Sequence, residues 1–216
     1  MAKIKKNDFV EVDFTGKIKD TGDVFDTTVK KVAEDNNLND KAKYKPVIVC
    51  VSQGHIFKKI ENSLVGKEAG RKYKVELEPE ESFGKKSAKL IRLVPTSAFR
   101  KQKINPVPGL GVNIDNQFGV IRTVTGGRCM VDFNHPLSGK ELSYNIKARK
   151  IIKDSVEKVK ALIEMDLRIK EFKVEKKDNK IRVIFDDKVK KHITDEMKKR
   201  IIERINKLTN SKIDIA

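Results

Sequence analysis

The run Val24-Phe25-Asp26-Thr27-Thr28 sets one carboxylate directly after an aromatic ring and before two hydroxyls. Such a group is either a packed corner with a solvated Asp or one wall of a pocket. A second display is the acidic turn Glu-Pro-Glu-Glu-Ser-Phe-Gly at 78–84, which carries Phe83 at its end. Aromatics are only 6% of the chain and Trp is absent, so the few Phe and Tyr rings are expected at special places. Cys50 and Cys129 lie in the separate strand-like runs VIVCV and RCMV, with no CxxC between them. They read as buried thiols in a reducing cytoplasm.

These groups must be positioned by elements of both periods. Residues 7–19 alternate as a strand with one buried face, broken at Thr15-Gly16 and followed by the turn Asp20-Thr-Gly-Asp23. Residues 34–45 are polar and read as a surface loop, and 46–51 as a strand with Pro46 at its edge. Ile56, Ile60 and Leu64 are four apart and share a helix face that Gly66 closes. Tyr73, Val75 and Leu77 alternate as the next strand. Residues 111–122 and 128–131 are expected as strands around Thr125-Gly126-Gly127. The stretch Val131–Tyr144, VDFNHPLSGKELSY, reads as strand, turn, strand, where a long excursion re-enters the first domain. From Asp154 the composition shifts. A helix carrying Val156, Val159, Leu162 and Ile163 leads to strands at 167–174 and 180–185, with a hairpin turn at 176–180. One long helix, capped by Asp186 or Asp187 and running through Lys207, precedes a short strand at 211–216.

At 216 residues the chain can hold two to three small domains. No stretch approaches the roughly 20 apolar residues of a membrane span. The basic N-terminal stretch has no apolar region of the kind a secretory signal needs, so none is expected. The net charge of +17 fits polyanionic partners such as RNA or the ribosome surface. A Lys-rich solvated surface of the thermophile kind fits it better, since the charge is spread along the chain without an aromatic RNA-binding motif.

FTG at 14–16, VFDTT at 24–28, the short helix 56–64 ending in LVGKEAG, and PEESFG at 79–84 stand in the order found in FKBP-type peptidyl-prolyl isomerases. VDFNHPLSGKELSYNI at 131–146 is similar to the signature of the SlyD-type branch. The resemblance covers residues 5–152. It implies an α+β fold: an FKBP-like antiparallel sheet wrapped on a short helix at 1–84 and 131–152, an inserted small β-rich lobe at 85–130, and a C-terminal α+β module at 153–216. That module resembles the extra region of long archaeal FKBP-type proteins and is a place for self-association as a homodimer. The lobe resembles the insert-in-flap domains that hold unfolded chains. It carries nine Lys or Arg and one acid, Asp115, a net +8.

The implied reaction is rotation about Xaa–Pro amides, with a barrier of roughly 18–20 kcal/mol. No bond breaks, so no nucleophile or cofactor is needed, and an apolar pocket weakens amide resonance by withdrawing water. Carried over by motif position, the catalytic residues are Asp26, Phe57, Phe83 and Tyr144. Phe14, Phe25, Val47, Ile56 and Ile60 line the pocket. Ile60 replaces the Trp common at the floor, and Phe14 and Phe83 replace tyrosines, which makes the site less polar than usual. The Phe57 backbone N–H is the expected donor to a substrate carbonyl. His55 and His135 read as ordinary, and with His192 as the only other histidine no metal site is expected. The expected partners are unfolded or nascent proline-containing polypeptides, with the ribosome surface as a further candidate and no membrane. The rival readings are a holdase that has lost isomerase activity and a basic RNA- or ribosome-associated protein.

Overall fold

A computed structural model describes residues 2–39, 41–169, 171–177, 180–191 and 193–215. The expected hairpin tip at 178–179 and His192 lie outside the described residues. The chain forms two compact units, Met1–Glu76 with Ser143–Ala216, and Leu77–Leu142.

In the first unit, strand β1 (Phe9–Ile18) leads to β2 (Val24–Thr27), helix α1 (Lys30–Asp35), β3 (Val47–Cys50), helix α2 (Lys58–Leu64) and β4 (Lys72–Leu77). The order in the sheet is β2-β1-β9-β4, where β9 is Leu142–Ile152. β1 is long enough to take two antiparallel partners along one edge. Its first half pairs with β3, Phe9 to Cys50 through Val12 to Val47, and its second half with β2. A register shift at Gly16/Lys17 marks the break expected there. α2 starts at Lys58, with Phe57 as its N-cap, so Ile56 precedes the helix. The 34–45 stretch opens inside α1, a short helix whose apolar periodicity is too sparse to read from sequence.

The C-terminal segment belongs to the same compact unit. Helix α4 (Ser155–Leu162) is capped by Asp154, whose side chain accepts from the Glu157 N–H at 2.8 Å. The helix widens into a π turn over Ile163–Leu167, which Arg168 ends in the left-handed region. The strand expected from 167 therefore begins only at Phe172. β10 (Phe172–Lys177) pairs antiparallel with β11 (Lys180–Phe185), and β11 pairs parallel with β12 (Lys212–Ile215). The single long helix expected from 186 is two helices. α5 (Asp187–Lys190) ends, and Thr194 caps a new start at α6 (Asp195–Thr209) by accepting from the Met197 N–H at 3.2 Å. A hydroxyl cap with an acidic first turn, Asp195 and Glu196, is a stronger local signal than the continuing apolar spacing. The core of this segment, Val159, Leu162, Ile163, Ile181, Val183, Phe185 and Ile205, is continuous with Phe9 and Cys50 of β1 and β3.

In the second unit, β5 (Ile91–Pro95), helix α3 (Thr96–Lys101), β6 (Gly111–Ile114), β7 (Gln117–Thr125) and β8 (Arg128–Asp132) form a four-stranded sheet in the order β5-β8-β7-β6. The expected 111–122 strand folds back on itself at Asp115-Asn116, both at positive φ, and the Gly126-Gly127 turn stands where expected. Phe99, Val112, Ile121, Cys129 and Val131 make its small core.

Candidate functional site

Tyr144, on β9 and 5% exposed, stands among three other rings. The Phe14 centroid lies 5.9 Å away, that of Phe25 5.8 Å and that of Phe57 6.0 Å, the last two edge to face. Four elements supply these rings: β1, β2, the start of α2 and β9. Gly16 makes the cluster possible, since a Cβ there would meet the Phe25 ring at 2.7 Å and the Tyr144 ring at 3.0 Å. The β1–β2 corner is held by hydroxyls. Thr15 and Thr27 Oγ1 are 2.9 Å apart, and the Phe14 N–H donates to Thr28 Oγ1 at 2.9 Å.

Asp26 follows Phe25 and keeps an exposed edge. Partial burial of its carboxyl raises its pKa above the ordinary aspartate range, and the Thr27 backbone N–H pulls it partly back. The Tyr144 hydroxyl is held un-ionised, first by burial and then by the negative charge of Asp26. The site thus pairs an apolar cage with one exposed-edge carboxylate whose charge the surrounding atoms partly disfavour. It can desolvate a small ring and place a negative field beside it.

Ile60 is 2% exposed on α2, while Ile56 and Phe57 are half-buried in the turn before it. Val47 sits in register opposite Val12. The turn owes its shape to Glu61, a residue the sequence reading passed over. This carboxylate is 1% exposed and accepts three backbone N–H groups, from Gly54 at 3.0 Å, His55 at 2.6 Å and Ile56 at 3.0 Å. The one sequence signal for it was a Glu beside Ile60 on an otherwise apolar helix face.

Phe83 belongs to the second unit. It stacks on His135 with centroids 4.2 Å apart and planes 2° from parallel. The signature stretch acts there as a clamp on the base of the lobe. Asn134 Oδ1 accepts the Ser87 N–H at 2.8 Å, and its Nδ2 donates to the Ser87 carbonyl at 3.1 Å. Ser138 Oγ donates to the Phe83 carbonyl at 3.0 Å. Arg122 and Asn134 both donate to Asp132.

Comparison with known proteins agrees with this architecture. Residues 1–99 match the family described as FKBP-type peptidyl-prolyl cis-trans isomerase, and residues 92–137 match that described as FKBP26, IF domain. A short-type peptidyl-prolyl cis-trans isomerase of Methanocaldococcus jannaschii is 32% identical over 149 residues, 68% of this chain and 94% of that protein. The FKBP-type 16 kDa isomerase of Escherichia coli is 28% identical over 152 residues, 68% of this chain and 93% of its own. SlyD of Haemophilus influenzae is 34% identical over 92 residues, 41% of this chain and 48% of its own. With an aromatic cage on an FKBP-type sheet and a relative matched over nearly its whole length, the chain belongs to the FKBP-type peptidyl-prolyl cis-trans isomerase family.

Proposed function

We propose that the protein isomerises Xaa–Pro bonds of unfolded chains in the Tyr144 cage and that its second unit captures those chains. The cage of Phe14, Phe25, Phe57 and Tyr144 carries this reading, because three rings within 6.0 Å of the Tyr144 ring offer the apolar surface against which a pyrrolidine packs. The substrate's prolyl ring packs among these residues with Ile60 beneath. The Phe57 backbone N–H donates to a substrate carbonyl, and Asp26 stabilises the twisted amide by its field. Val47 and Ile56 extend the apolar wall, and Phe83 is assigned to substrate contact by its motif position.

The capture role rests on exposed apolar surface. Six of the eight exposed large hydrophobic residues among those described lie in the second unit: Leu90, Ile91, Leu93, Val107, Phe118 and Met130. Leu93 and Met130 are paired across β5 and β8, so they share the face opposite partly buried Val94 and buried Cys129. Such a patch on a basic lobe suits adaptable binding of unfolded segments. No described helix is long and apolar enough to cross a membrane. The cytoplasm, with nascent chains near the ribosome as clients, fits the buried thiols and the basic charge.

The test compares cis-to-trans rates on a short Phe-Pro peptide and on a refolding protein. Phe25→Ala is expected to lower kcat/KM on both by about tenfold or more. Removing residues 85–130 is expected to lower only the rate on the refolding protein. Wild-type rates in the Phe25 variant would overturn the pocket, and an undiminished refolding rate without the lobe would overturn capture.

A further inference from the structure

The turn between β3 and α2 carries Phe57 into the ring cluster, and it is not self-sufficient. Ser52 lies at φ 67 and Gly54 at φ 81, and a non-glycine residue in that region costs about 1 kcal/mol or more unless its surroundings hold it. Glu61 holds the backbone from the helix side. From the other side the turn is held by the His55 ring, whose side chain is 5% exposed.

The ring makes two contacts in different parts of the chain. Its Nδ1 accepts the Cys50 N–H at 3.0 Å, so the proton is assigned to Nε2, which donates to Asp166 Oδ1 at 3.1 Å. Asp166 sits in the π turn after α4, 111 residues away in sequence. It is oriented by Arg204 of α6, whose Nε donates to Oδ2 at 2.5 Å and Nη2 to Oδ1 at 3.3 Å. Around this array α4 packs on β3, and the buried Cys50 thiol belongs to the shared core. Lys45, just before β3, faces Glu164 of the same π turn at 3.9 Å.

We propose that Asp166 and Arg204 are positioning residues for prolyl isomerisation, acting through the His55 ring on the turn that presents Phe57. The proposal rests on the Tyr144 cage being the substrate pocket. It gives the C-terminal segment a place in catalysis. A carboxylate fixed by an arginine sets the tautomer and tilt of His55. The ring then fixes the Cys50 amide at the end of β3, and with it the entry angle of the turn. A neutral His without Asp166 could turn about its side-chain torsions and release the Cys50 N–H, so the Phe57 ring and amide would sample positions off the productive geometry.

The experiment uses the full chain and a Phe-Pro tetrapeptide, with kcat and KM measured separately well below the unfolding temperature. Asp166→Ala is expected to lower kcat by about five- to tenfold with KM changed less than about twofold, and to shift the Phe57 amide resonance. His55→Phe should give a similar loss, and the double variant no more than either single one. Losses that add would overturn the route through His55. Phe25→Ala separates the two readings. Activity insensitive to Phe25→Ala removes the pocket assignment and this proposal together. Activity sensitive to Phe25→Ala but unchanged in Asp166→Ala overturns the proposal alone. Should His55→Phe not fold, the Asp166→Ala kcat and the Phe57 amide shift still decide it.

Discussion

Asp26 carries a carboxylate whose charge the fold disfavours. Its pKa in the fold lies above the ordinary aspartate value of 3.8, chiefly because burial disfavours the charge. Between those two pKa values the native state binds more protons than the unfolded chain, so stability falls as pH rises through that window and stays lowered at neutral pH. Asp26→Asn is therefore expected to raise the thermal midpoint at pH 7, with the difference from wild type vanishing below about pH 3.8, where both carry a neutral group. Scanning calorimetry at the two pH values checks this, and a midpoint lowered at pH 7 would contradict it. The motif VFDTT was readable in sequence, and so was the choice between wall and corner. The sequence could not decide between them, because the desolvation of Asp26 depends on the fold around it.

Among the elements, the entry to α2 has the least support from its own sequence. Neither Val65 at its end nor Phe57 at its start caps it with a side-chain hydrogen bond. Three backbone donors of the preceding turn converge instead on buried Glu61. Glu61→Ala would leave those N–H groups without their acceptor, at a cost of about 3 kcal/mol, whereas Glu61→Gln retains one oxygen acceptor and should lose less. Urea unfolding of the two variants measures the difference, and equal small losses would mean that water replaces the carboxylate. The helix itself was legible from Ile60 and Leu64. Its start was misplaced by two residues because the spacing of Ile56 suits a helix, while the convergence of three N–H groups on one carboxylate holds that residue outside it.

For the whole molecule, the decisive feature is the core that runs from β1 and β3 into the C-terminal segment. Phe9 and Cys50 are 1% and 0% exposed within it, and Lys158 lies 5.6 Å over the Phe9 ring. Removing residues 153–216 would strip cover from Phe9, Ile48, Cys50 and Ile152, a loss of roughly 5 kcal/mol at the usual value per buried side chain. The shortened chain is expected to unfold at least about 10 °C lower or to aggregate. An unchanged midpoint by calorimetry would show that the segment adds nothing to the stability of the rest.

Local pattern determined the strands of β1 and β8 and the Gly126-Gly127 turn, because alternation and turn chemistry are properties of neighbouring residues, while the inserted lobe and the ring positions of the cage came from the order of short motifs shared with the FKBP-type family. The tertiary structure decided what no window of sequence contains. It determined that Gly16 leaves room for two rings, that Glu61 is buried to hold a turn, and that Asp166 and Arg204 reach His55. It also split the 186–207 run at Thr194 and joined the last quarter of the chain to the core of the first. Apolar spacing shows which face is buried but not what it is buried against, and a charged side chain acquires its role only from the partner the fold sets beside it.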